Sequence, residues 1–138
     1  MSIPRKMPGC AKIRRNNEIS LVVAGGQNGR NNDFLKSVEI IGIDVKTNSV
    51  STWVTLGEMN FARAYFPSVG FFDFSLIITA GKLEDEYGKH SVEKYQKGEW
   101  KILDALKLRF PRFSHSTVSV TQEWCDTETQ FESFEIVD

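Results

Sequence analysis

Short apolar segments separated by clusters of Gly, Asn and Asp follow one another along the chain. Residues 19–24 and 74–79 are continuous apolar runs, which favour strands covered on both faces. Other β-branched or aromatic stretches predict the strands that follow each run: Val38 and Ile40, Val92 and Tyr95, and the surroundings of Trp53 and Trp100. Residues 99–109 also accept the spacing of a short helix, and that alternative stays open. The pattern predicts an all-β fold with little helix.

One series of features occurs twice, and its members lie about 50 residues apart. Each copy has an apolar strand ending in small residues, then Ser-Val-Glu, then a Trp, then an Arg: Gly25-Gly26, Ser37-Val38-Glu39, Trp53 and Arg63, followed by Ala80-Gly81, Ser91-Val92-Glu93, Trp100 and Arg112. We place units at about 18–58 and about 73–104, with partial units at 1–17 and 105–138, in one repeat region. Each unit should be an antiparallel sheet of four strands if residues 68–69 and 117–118 add a strand.

This series resembles the kelch repeat, whose marks are a strand ending in Gly-Gly, a later aromatic residue, a Trp after a turn, and an Arg before the next strand. The matching residues are Gly25, Gly26, Trp53 and Arg63 in one unit and Gly81, Tyr95, Trp100 and Arg112 in the next. The chain departs from the family at Ala80, where Gly is usual, and at Ile40-Ile41, where Tyr is usual. The resemblance implies kelch-type β-propeller blades of four antiparallel strands.

Two units and two partial ones are too few to close a ring of ~4–8 blades. Since an incomplete ring leaves apolar sheet faces open, the chain is expected to be a fragment, a subunit of a ring of copies, or a piece completed by another chain. The first fifteen residues carry Lys and Arg without acids, and the last sixteen carry acids without Lys or Arg. Oppositely charged ends would suit neighbouring edges in a head-to-tail ring of copies. The alternative is that the acidic end is simply a solvated edge.

Composition excludes several classes of function. Seventeen basic and eighteen acidic residues give a net charge of −1, which disfavours binding of nucleic acid or an anionic membrane by charge. The apolar runs fall far short of the ~20 residues of a membrane-spanning helix. Two cysteines and two histidines are too few for a metal centre, and we expect no cofactor. The cysteine content suits a cytoplasmic protein, with pairing of Cys10 and Cys125 left open.

Enzyme chemistry has little support in the chain. Glu84 and Glu86 are neighbours in a polar loop and lack the buried setting of an acid–base pair. His90 and His115 lie in different units without a nucleophile motif, and His115 is interpreted as a packing residue. We therefore predict that the protein is not an enzyme.

The recurring residues have a structural and a functional interpretation. Gly25-Gly26 is followed by neither Lys-Ser nor a helical pattern, so tight packing explains it better than a phosphate loop. Because they recur once per unit, Trp53 and Trp100 are interpreted as packing residues rather than stacking platforms. Arg63 and Arg112 are interpreted as holding blades together through carbonyls or carboxylates, with ligand contact as the alternative.

Two polar loops take the same place after the glycine of each unit and are the candidate binding sites. The first contains Asn28, Arg30, Asn31, Asn32 and Asp33, and the second contains Glu84, Asp85, Glu86, Tyr87 and His90. Together they would present a mixed-charge surface to another protein, with solvated loop tips as the alternative.

We expect a protein–protein interaction module whose partner the sequence does not identify. The kelch resemblance implies a substrate adaptor of a ubiquitin ligase or an actin-associated protein, an inference that rests on family analogy. The alternative is a non-catalytic fragment or subunit that completes a larger propeller, through self-association or with blades from a longer chain.

Overall fold

A computed structural model describes residues 1–15, 17–72, 75–82, 90–112 and 114–115. Its strands are, in chain order, β1 Arg5–Lys6, β2 Gly9–Arg15, β3 Glu18–Ala24, β4 Gln27–Asn28, β5 Ser37–Asp44, β6 Val54–Glu58, β7 Ser68–Phe72, β8 Ser75–Thr79, β9 Val92–Gln96 and β10 Glu99–Ile102. Sheet one has the order β2-β3-β5-β6, and sheet two has the order β7-β8-β9-β10. The short strands β1 and β4 form a separate pair.

Each four-stranded sheet is an antiparallel meander. In sheet one, β2 pairs with β3 from Gly9 opposite Ala24 to Arg15 opposite Glu18. In sheet two, β8 and β9 pair in the same antiparallel sense. Val and Ile are common in the central strands because branched side chains pack well on a pleated surface, and polar turns end each run. The described residues confirm an all-β fold of four-stranded antiparallel sheets, while the propeller ring remains a prediction.

The two sheets pack on each other around an apolar core. Side chains on a strand alternate between its faces, so every second residue of the central strands enters this core. Its buried members are Ile13, Val22, Ala24, Val38, Met59, Val69, Leu76 and Ile78. Strand β2 lies beside β7, and β6 lies beside β10. The β2–β7 contact is close, since a Cβ on Gly9 would meet the carbonyl oxygen of Pro67.

The sheets begin one strand before the expected repeat units. Strand β2 lies in the partial unit 1–17 but forms the edge of the sheet that contains the unit at 18–58. Strand β7 likewise precedes the unit at 73–104 and forms the edge of sheet two. The strand expected at residues 68–69 is therefore present, and residues 117–118 lie outside the described residues.

The stretch at residues 99–109, whose spacing fits a strand or a short helix, is part strand and part helical turn. Strand β10 occupies its first residues, and a single 3₁₀ turn follows at Asp104–Leu106. Across the described parts of the chain, no helix has the length and apolar character needed to span a membrane.

Candidate functional site

Several segments meet at one end of the two sheets, which we call the loop end. It consists of residues 1–8, 25–36, 59–67 and 80–82. Backbone hydrogen bonds join these segments: Gly26 N–H donates to the Arg63 carbonyl at 2.7 Å, and Ala64 N–H donates to the Lys82 carbonyl at 3.0 Å. The pairing of β1 with β4 ties the first residues of the chain to the same end.

The first candidate loop is compact and has its own hydrogen bonds. Asn28 N–H donates to the Asp33 carbonyl at 2.8 Å, and Asn32 N–H donates to the Asn28 carbonyl at 3.0 Å. The Arg30 amide donates to Asn28 Oδ1 at 3.0 Å, and the Asn31 side-chain amide donates to the Asp33 carboxylate. The structure thus brings together the five predicted residues of this loop, and the four from Arg30 onward are exposed.

Aromatic and basic side chains lie next to this loop at the same end. The rings of Phe34 and Tyr65 meet edge to face with centroids 6.0 Å apart, and Lys82 Nζ lies 5.0 Å from the Tyr65 ring centroid. Lys6 Nζ donates to Asn32 Oδ1 at 3.3 Å. An aromatic pair flanked by basic groups offers a partner both apolar area and charge. The sequence interpretation did not include Phe34, Tyr65 or Lys82, because they belong to three different segments.

The second candidate loop is described only at its last residue. Glu84, Asp85, Glu86 and Tyr87 lie outside the described residues. His90 is half-buried, and its Nδ1 donates to the Leu108 carbonyl at 2.7 Å. This bond, with that from Leu103 N–H to the Val92 carbonyl at 2.8 Å, holds residues 103–108 against the start of β9. The described contact of His90 is therefore within the chain.

Arg63 is fully buried beside Glu93, between the two sheets. Its guanidinium donates to Glu93 Oε1 from Nε at 3.3 Å and from Nη2 at 3.0 Å. Nη1 donates to the Ala80 carbonyl at 2.7 Å, and Nη2 donates to Ser91 Oγ at 2.5 Å. Burial lowers the pKa of Arg63 below its ordinary value, and the Glu93 carboxylate opposes that shift. We call Arg63, Ser91 and Glu93 the second Arg–Ser–Glu set.

The same arrangement occurs in sheet one, around Arg5. Arg5 Nη2 donates to Glu39 Oε2 at 2.6 Å and to Ser37 Oγ at 3.1 Å, and Nη1 donates to the Gly25 carbonyl at 2.9 Å. The side chains of Arg5 and Glu39 are 0% and 1% exposed. This is the first Arg–Ser–Glu set. The sequence interpretation missed Arg5. The signal that could have found it is that Arg5 precedes a Ser-Val-Glu segment, as Arg63 does.

The carboxylate in each set is also held from the segment that carries the Arg. The Ser2 amide and hydroxyl donate to Glu39 Oε1 at 2.7 and 2.6 Å. The Asn60 amide donates to Glu93 Oε2 at 2.6 Å. Burial alone would raise the pKa of Glu39, but the hydrogen bonds from Ser2, together with the charge and hydrogen bond of Arg5, lower it overall.

Trp100 takes part in the contact between the sheets. Trp100 Nε1 on β10 donates to the Leu56 carbonyl on β6 at 3.1 Å, and the Trp100 and Tyr95 rings lie 5.1 Å apart. Trp53 is half-buried just before β6. Gly25, Gly26 and Gly81 all have positive φ, and a Cβ on Gly25 would meet the Arg63 carbonyl oxygen. Close packing thus accounts for these glycines.

Arg112 differs from Arg63 in its surroundings. Its carbonyl accepts a hydrogen bond from Gly81 N–H at 3.0 Å, but its side chain is exposed and has no hydrogen-bonding partner among the described residues. His115 shares a hydrogen bond with the Thr79 hydroxyl at 3.1 Å, and burial with the nearby Arg112 charge lowers the pKa of His115. Arg112 is therefore the recurring Arg whose role these contacts leave unexplained.

His115 and Cys10 line an open cleft of about 340 Å³ between β2 and the segment before β7. Cys10 is a free thiol, and burial raises its pKa, an effect that the Arg5 charge partly offsets. Cys125 lies outside the described residues. Within the described residues, no three His, Cys, Asp or Glu side chains are grouped closely enough to hold a metal ion.

Comparison with known proteins adds no relative to this description. No protein-family model matches the chain, and a search of curated proteins finds no match.

Proposed function

We propose that this protein is a kelch-type recognition module that binds a partner protein through its loop end. The observation that carries the proposal is the exposed loop at residues 28–33, which is held in shape by its own hydrogen bonds. A loop that is already ordered loses little conformational entropy on binding, and loops on rigid sheets often carry recognition. The adjacent Phe34–Tyr65 pair supplies apolar contact area.

The kelch assignment is supported by repetition within the chain. Two four-stranded meanders follow one another, and each contains the same Arg–Ser–Glu set at the same place in its sheet. By family analogy, the partner is a substrate presented to a ubiquitin ligase or the actin cytoskeleton, and the protein works in the cytoplasm without a cofactor. The charges of Arg30 and of Glu84 to Glu86 favour a partner surface that carries both signs.

The test reverses charges at the loop end and compares partner capture. The loop variant is Arg30→Glu with Glu84→Lys, and the matched control is Arg14→Glu with Glu18→Lys, at the opposite end of sheet one. Proteins captured from a cell lysate by wild type would be identified by mass spectrometry, and their binding to each purified variant measured. We expect at least a tenfold loss for the loop variant and little change for the control. Equal binding by all three proteins would contradict the proposal.

A second candidate is that the chain is a structural piece of a larger propeller. The face of sheet one turned away from sheet two carries Ile19, Leu21, Ile41 and Ile43, and Leu21 is 37% exposed. Such a face suits cover by another blade. Light scattering coupled to size-exclusion chromatography measures the outcome: a discrete dimer or trimer supports ring closure by copies, and an aggregating sample supports a fragment. A stable monomer would count against this candidate.

A further inference from the structure

A cavity of about 250 Å³ lies between the two sheets, away from the loop end. It is open on one side, and its deepest residues are well buried, since Leu76 is 4% and Ile13 is 8% exposed. An apolar cavity of about 150 Å³ holds benzene, so this one has room for an aromatic ring with a short side chain. Its apolar and aromatic lining residues are Ile13, Ile40, Leu56, Phe71, Leu76 and Tyr95.

The cavity exists because two neighbouring positions of sheet one lack a large side chain. Side chains alternate along a strand, so Ser20 faces sheet two together with the buried Val22. Gly42 is opposite Ser20 in the register of β3 and β5, and Ile13 is opposite Ser20 on β2. The layer that Val22 and Ile40 fill nearer the loop end is therefore empty at Ser20 and Gly42.

Carboxylates lie at the open side of this cavity. Glu18 is a lining residue and is exposed, and a Cβ on Gly42 would lie 2.7 Å from Glu18 Oε1. The Glu18 carboxylate thus extends over the space that Gly42 leaves. Asp44 is opposite Glu18 on β5, which adds a second negative charge nearby. None of the ion pairs between described residues involves Glu18. These charges favour a cationic ligand.

The side of the cavity formed by sheet two is aromatic. Phe71 and Tyr95 are half-buried there, and the Tyr95 ring packs against Trp100 with centroids 5.1 Å apart. This contact supports the Tyr95 ring from the side of β10. Aromatic side chains pack favourably against another aromatic ring and attract a cation to their faces. The lining thus combines ring surfaces with a carboxylate.

We propose that this cavity binds a small aromatic amine. The ring of the amine packs against Leu76 and Tyr95, and its ammonium group donates to the Glu18 carboxylate and the Ser20 hydroxyl. The cavity and the loop end lie at opposite ends of the sheets, so Glu18 is expected to affect amine binding and not partner capture. Failure of either proposal leaves the other standing.

The first test compares three ligands that share one ring and differ in charge. Phenethylamine, phenethyl alcohol and phenylacetate would each be titrated at neutral pH into the wild-type chain with labelled Ile and Leu methyl groups, followed by NMR. We expect saturable shifts at Ile13, Leu56 and Leu76. Phenethylamine should bind at least about threefold more tightly than the alcohol, as expected for a partly exposed ion pair, and phenylacetate should bind most weakly.

The second test changes the carboxylate. Glu18→Gln should bind phenethylamine and phenethyl alcohol with equal affinity, because the counter-charge is gone while the apolar walls remain. The matched control is Glu58→Gln, an exposed position on β6 next to the loop end, which should keep the preference for the amine. A preference that survives Glu18→Gln would contradict the role given to Glu18.

The third test fills the cavity. Ser20→Leu places an apolar side chain in the space beside Gly42 and should abolish the shifts caused by all three ligands. Thr55→Leu is the control, since Thr55 lies next to Leu56 on the opposite face of β6. It should bind like wild type. Unchanged binding to Ser20→Leu would overturn the location of the site.

Two results on wild type alone would also overturn the proposal, whether or not a variant folds. One is the absence of saturable shifts with all three ligands. The other is tightest binding of phenylacetate, which would mean that Arg15, opposite Glu18 on β2, sets the charge preference instead.

Discussion

Replacing Arg63 with Met should be among the most damaging single changes in this chain. The substitution removes donors from two carbonyl oxygens, the Ser91 hydroxyl and the Glu93 carboxylate. It also leaves Glu93, whose side chain is 0% exposed, without its counter-charge. Removing one partner of a buried ion pair costs about 3–5 kcal/mol because the remaining charge is uncompensated. In a chain of this size, that loss lowers the melting temperature by about 10–15 °C.

Urea unfolding followed by tryptophan fluorescence measures this loss, because Trp100 lies in the same sheet as Glu93. Glu93→Met should cost a similar amount, and the double variant should cost clearly less than the sum, since an apolar pair of similar volume replaces the ions. Arg14→Met, at an exposed position, should change stability by less than about 0.5 kcal/mol. A cost below about 1 kcal/mol for Arg63→Met, or strict additivity of the two changes, would refute the role given to this pair.

Three further predictions follow from the described contacts. The lowered pKa of Glu39 means that its stabilising contribution is complete above its ordinary pKa of 4.5 and is lost as pH falls through the folded value. Urea midpoints of wild type and Glu39→Gln should therefore converge in acid, and a constant difference would contradict this. Ala80 has a φ of 54°, which strains any residue with a Cβ, so Ala80→Gly should stabilise the fold by about 1 kcal/mol. Gly25→Ala should destabilise it, because the added Cβ would meet the Arg63 carbonyl oxygen. Equal urea midpoints for the two variants would refute this. Burial raises the pKa of Cys10, so iodoacetamide should modify it more slowly at neutral pH than it modifies an unstructured cysteine peptide, and equal rates would count against it.

The parts of the fold that sequence could predict are those with local signals. Strand β3 is an apolar run that ends at two glycines, and both features are visible in a short window. Strand β2 was not predicted, because Lys12 and Arg14 alternate with Ala11 and Ile13 and resemble a basic terminal segment until the partner strand is known. The sequence of this edge strand can therefore be recognised as a strand only once its pairing partner is known.

The candidate site also contains some residues with a local sequence signal and others without one. The polar loop at residues 28–33 is recognisable from Asn, Asp and Gly, which favour turns. Arg5 could not be recognised from its neighbours, because the partners of its guanidinium lie 20 to 34 residues away. Its spacing to Glu39 also differs from the 30 residues between Arg63 and Glu93, which hides the repeat from a gapless comparison.

The filled position around Glu39 limits how copies of this chain can join. In a head-to-tail polymer held by Arg–Ser–Glu contacts, Arg112 of one copy would have to reach Glu39 of the next. Arg5 already occupies that carboxylate at 2.6 Å, with Ser2 on its other oxygen. An incoming copy must first pull residues 1–8 away and break the β1–β4 pair. Residues 1–8 would therefore have to leave Glu39 before such a contact could form between copies, which opposes this route of filament growth.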